Sequence, residues 1–193
     1  MSTLIEIPES LQFYFSNDQN ASAINQILES ESVPLGLSWQ EIEQYNKAKV
    51  SAQVTQLDYW LLLKKIWELT WGISINELNI NEVDPDYYED EYSADYTWSE
   101  DCFYKTYKFN DSHLFLFSCF DERTLRLGFY VESKNGTYEI SNALELSEEW
   151  GDADNETRRT LTNFIDLRGK DKVDIEPFPK LAHDAITKLK IVP

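Results

Sequence analysis

The pattern over residues 38–71 constrains the fold most. Ser38 can accept a hydrogen bond from the Glu41 amide while the Glu41 carboxylate reaches back to Ser38, the reciprocal arrangement of a capping box. A helical period runs from there to Trp71. Tyr59, Leu62, Leu63, Ile66 and Leu69 fall on one face at offsets 0, 3, 4, 7 and 10. Trp60, Trp67 and Trp71 form a second stripe at 0, 7 and 11. A helix apolar on two faces must be buried on two sides, so the rest of the chain has to wrap it. The polar, β-branched stretch at 50–56 (VSAQVTQ) is the expected site of a bend, and Gly72 the expected terminator.

The wrapping material comes later in the chain, where the period changes to two. Residues 103–109, 113–120, 124–133 and 137–141 read as four strands. Leu125, Leu127, Phe129 and Val131 alternate with Thr124, Arg126, Gly128 and Tyr130. Residues 113–120 (HLFLFSCF) are apolar at odd and even positions, as expected of a central strand covered on both faces. Asn135-Gly136 suits the positive φ values of a type I′ hairpin turn. If Asn110 and Asp111 form a two-residue turn, opposed residues of the first two strands sum to 221, and Cys102 faces Cys119. Residues 21–29 read as a helix capped by Asp18 or Asn20. Leu181, Ala185, Ile186 and Leu189 mark a C-terminal helix starting near Pro179. The expected class is α+β: N-terminal helices packed on a four-stranded antiparallel β-meander, with a C-terminal helix. One domain over 1–193 is expected, with a helical part (1–72) and a β-rich part (102–193) joined by an acidic segment (73–101).

Charge restricts the partners. Of 193 residues, 35 are acidic and 17 are Lys or Arg, a net charge of −18. Residues 1–157 carry 9 bases and 30 acids, and 158–193 carry 8 bases and 5 acids. Such a surface repels phosphate, which disfavours direct binding to nucleic acid or anionic membrane and favours a basic protein partner. No signal-peptide pattern and no membrane-length apolar run is present, so a cytoplasmic location is expected. Two cysteines do not make a disulfide framework or a metal site.

Two acid-only clusters stand out, 84–101 and 145–156. The first holds Asp84, Asp86, Glu89, Asp90, Glu91, Asp95, Glu100 and Asp101, interleaved with Tyr87, Tyr88, Tyr92, Tyr96 and Trp98. Tyrosine and tryptophan offer large contact area with few rotors to freeze, and they dominate interface hot spots. Carboxylates around them would steer a basic partner. These thirteen residues are the expected partner-binding site. The bland alternative is a solvated connector. The second cluster lacks the glycine and the terminal glutamate of a calcium loop, and reads as an acidic helix start before 157–164.

The function expected from these features is non-enzymatic, without cofactor or metal. The chain would bind and block a basic, nucleic-acid-handling protein, in the manner of an immunity protein, an antitoxin, or an anti-CRISPR or anti-restriction factor that mimics nucleic acid. One alternative is an interaction subunit with no inhibitory role. A second is a small metal-dependent enzyme. Asp121, followed by Glu132-x-Lys134 at a strand end, is similar to the arrangement that holds magnesium in the PD-(D/E)xK nucleases. That resemblance implies two metal-binding carboxylates and a water-orienting lysine. The Pro-Asp pair of that pattern is missing, and a nuclease needs a basic surface for its substrate.

Overall fold

The computed structural model of the protein describes residues 4–78, 102–109, 112–133, 136–137, 148–152, 158–161 and 165–191. The α+β class is observed, with helices packed on an antiparallel sheet and a helix at the C-terminus.

Two short helices precede the long one. Helix α1 spans Glu9–Ser16 and α2 spans Asp18–Glu29. The cap of α2 is Asn17, whose side chain accepts from the Asn20 amide at 2.9 Å, rather than Asp18 or Asn20 as expected. Helix α3 spans Trp39–Trp67 and opens with the capping box read from the sequence. The Ser38 amide donates to Glu41 Oε2 at 2.8 Å, and the Glu41 amide donates to Ser38 Oγ at 3.4 Å. The Ser38 hydroxyl also donates to Glu41 Oε2, at 2.6 Å, and together with the Ser38 amide it holds the Glu41 carboxyl below its ordinary pKa.

Neither expected interruption of α3 occurs where the sequence placed it. The helix is continuous through 50–56, where Ala52 and Thr55 are buried and the Thr55 hydroxyl donates to the Ser51 carbonyl at 3.1 Å. Packing on that face outweighs the small propensity cost of β-branched residues. Nor does Gly72 end the helix. Glu68–Gly72 forms a π-helical turn that leads directly into α4, Ile73–Leu78.

The sheet begins with a meander of three long strands: β2 (Cys102–Phe109), β3 (Ser112–Asp121) and β4 (Thr124–Ser133). The β2–β3 pairing has the expected register, from Cys102 opposite Cys119 to Phe109 opposite Ser112. Residues 110–111 themselves lie outside the described residues. Strand β5 (Gly136–Thr137) returns along β4 with Ser133 opposite Gly136, so Gly136 lies in the strand rather than in the expected Asn135-Gly136 turn. Three further strands join: β6 (Trp150–Asp152), β7 (Arg158–Leu161) and β8 (Ile165–Asp166). The order is β2-β3-β4-β7-β6, with β5 and β8 also pairing with β4. The acidic helix start expected before 157–164 is therefore replaced, within the described residues, by an antiparallel β6–β7 pair. Trp150 supplies the reason: it is buried against Phe129 and Trp71, at centroid distances of 5.2 and 6.1 Å.

A second, two-stranded sheet joins the ends of the chain. Strand β1 (Leu4–Glu6) pairs with β9 (Lys172–Asp174), and the C-terminal helix α5 spans Pro177–Ile191. Residues from Ile5 to Leu189 contribute to one hydrophobic cluster.

Helix α3 lies on the meander through both its stripes. Tyr59, Leu62, Leu63, Ile66, Trp67 and Trp71 are buried. The Trp67 indole donates to the Leu116 carbonyl at 2.8 Å, and the Trp71 indole to the Phe117 carbonyl at 3.2 Å. Successive carbonyls of a strand point to opposite neighbours, so the two indoles straddle β3. Their packing agrees: Trp67 meets Phe103 and Tyr107 of β2, whereas Trp71 meets Phe129 of β4. In return, Ser118 Oγ donates to the Leu63 carbonyl at 3.0 Å. Residues Leu114–Phe120 of β3 are buried at every position, as the continuous apolar run predicted.

Candidate interaction surface

The thirteen expected partner-binding residues between Asp84 and Asp101 lie outside the described residues, as does most of the second acidic cluster. Their points of attachment are described. Residue 101 precedes Cys102, the first residue of β2, which is one edge of the strand order. The second cluster contains β6, the other edge. Strands lie about 4.8 Å apart, so the two attachment points are separated by roughly 19 Å across the sheet. At the β2 edge, Cys102 enters beside Cys119, two residues before Asp121 and the β3–β4 turn. Asp121 and Glu122 of that turn are exposed.

The framework disposes of much of its positive charge internally. Arg123 pairs with Asp18, Arg126 with Asp121 and Arg168 with Asp166. The Arg168 guanidinium and backbone amide hold the partly exposed Asp166 carboxyl at a pKa of about 2. Lys49 donates to the α2 C-terminal carbonyls of Ile27 and Leu28, at 2.9 and 3.2 Å. A cation at a helix C-terminus offsets the negative end of its dipole. Lys172 sits opposite Glu6 in the β1–β9 pair, and His183 Nδ1 of α5 lies 3.5 Å from Glu77 Oε2 of α4.

The metal-binding alternative does not assemble. Asp121 pairs with Thr124 at the β3–β4 turn, whereas Glu132 sits opposite His113, eight residues along β4. At about 3.4 Å per residue that is roughly 27 Å, far beyond the reach of a shared cation. Asp121 instead pairs with Arg126. Lys134 lies outside the described residues. Among the described residues, no group of three His, Cys, Asp or Glu side chains is placed to hold a metal ion. Likewise no described helix is long and apolar enough to cross a membrane.

One surface feature went unread in the sequence. Val50, Val54, Leu57 and Leu61 follow one another at offsets 0, 4, 7 and 11 on α3, and all are exposed, by 47–59%. They form an apolar stripe about 16 Å long on the side of the helix opposite the sheet. Trp39, at the start of the same helix, is 87% exposed. The spacing is legible in the sequence, but a bend expected at 50–56 cuts across the stripe. Comparison with family models, with curated proteins and with solved structures gave no match.

Proposed function

We propose that the protein binds and blocks a basic, nucleic-acid-handling protein, with residues 84–101 as the docking element. The observation that carries this reading is the composition of that run: eight carboxylates, four tyrosines and a tryptophan in eighteen residues, with no base among them. Tyr87, Tyr88, Tyr92, Tyr96 and Trp98 are the anchors. The carboxylates steer the partner and occupy the sites where it would hold phosphates. The chain as a whole reinforces the steering through its net charge of −18. The internal pairing of Arg123, Arg126 and Arg168 supports the reading further, since those cations are spent on framework carboxylates.

Two substitution sets separate steering from anchoring, measured as binding kinetics against the salt-labile basic protein that the immobilised chain retains. Asp86→Lys, Glu89→Lys, Asp90→Lys and Glu91→Lys together should slow association and remove its salt dependence. Tyr92→Ala and Trp98→Ala should speed dissociation, at a cost of about 2 kcal/mol each. Unchanged kinetics in both sets would remove 84–101 as the docking element and leave 145–156 to be tested.

A further inference from the structure

The chain has two cysteines, and the β2–β3 ladder sets them directly opposite one another. Both are thiols. Opposed residues of an antiparallel pair have α-carbons roughly 4.5 or 5.5 Å apart and side chains on the same face. Both spacings fall inside the range of roughly 4.4–6.8 Å between α-carbons that disulfides span. The thiols differ in access. Cys119 lies in the central strand and is 5% exposed. Cys102 is half-buried and begins the edge strand. One sulfur is therefore reachable by a small reagent, and the other is positioned to act only on its neighbour.

We propose that Cys102 and Cys119 form a reversible thiol–disulfide pair, oxidised by a low-molecular-weight disulfide of the glutathione class. The Cys102 thiolate attacks one sulfur of the small disulfide. That S–S bond breaks, a mixed disulfide forms on Cys102, and a thiolate leaves and takes up a proton. Cys119 then loses its proton, and its thiolate attacks Cys102 Sγ, expelling the second small thiolate. The protein dithiol gives up two electrons, and one small disulfide becomes two thiols. The product ties the first residue of the edge strand to the centre of the sheet, at the point where residues 79–101 join it. The reaction stands independently of any docking role for that segment.

The test equilibrates the full-length chain with reduced and oxidised glutathione poised near −180 mV, roughly the potential of an oxidising compartment. Thiols are then counted in denaturant, and the intact mass is recorded. The expected product has lost both thiols, has a mass lower by two hydrogens, and melts on the order of 10 °C higher than the reduced chain. Cys119→Ser should stop at the glutathione adduct of Cys102, and dithiothreitol should reverse both reactions. Retention of both thiols would overturn the proposal. So would a wild-type product that stops at the adduct, or one that links two chains.

Discussion

Helix α3 presents apolar residues on opposite sides, and the two sides meet different fates. On the inner side Leu62, Leu63 and Ile66 are at most 3% exposed, under the indoles that straddle β3. On the outer side Val50, Val54, Leu57 and Leu61 remain about half exposed. Residue type and period do not distinguish these sets. What distinguishes them is complementary chemistry on the neighbouring element: carbonyls at Leu116 and Phe117, and a hydroxyl at Ser118. An apolar stripe states that a face can be buried, and the partner decides whether it is.

The contrast can be put to the test with substitutions along one helix. Leu63→Ala on the inner face should destabilise the protein most, by about 2–5 kcal/mol in urea unfolding, because it opens a cavity against the sheet. Removing the cap with Ser38→Ala should cost about 1 kcal/mol by the same measurement, since the Glu41 amide loses its acceptor. Leu57→Ser on the outer face should change stability by less than about 0.5 kcal/mol. If Leu57→Ser costs as much as Leu63→Ala, the outer stripe is covered in solution, and the distinction between the two sides fails.

The same principle explains which parts of the fold were legible. Strands β2, β3 and β4 are long enough for alternation to show, and the two-residue spacing at 110–111 fixes a register that places Cys102 against Cys119. The capping box at Ser38 and Glu41 is a local interaction and needs nothing from the rest of the chain. Strands β1 and β9 have three residues each, too few to establish a period, and exist because they pair with one another. Strand β6 lies among acids that favour a helix start, and the burial of Trp150 overrides them. The metal reading of Asp121 and Glu132 failed because proximity in sequence along a strand becomes distance in space. The acidic docking residues stand out by composition, and their test is the kinetic one.

The π-helical turn at Glu68–Gly72 has a consequence for helical phase. Each residue of an α-helix advances about 100°, so side chains spaced by four drift by about 40° per step. Over Trp67, Trp71 and Ile75 that drift would rotate the last side chain by about 80° from the first. A π turn advances less per residue and takes up the excess. Trp71 is 0% exposed and Ile75 6%. The wider turn therefore works as a phase correction, keeping a four-residue repeat locked to a flat target where an ideal helix would have rotated out of step. The same residues wound as regular α-helix would turn Ile75, and the rest of α4 with it, by about 80°.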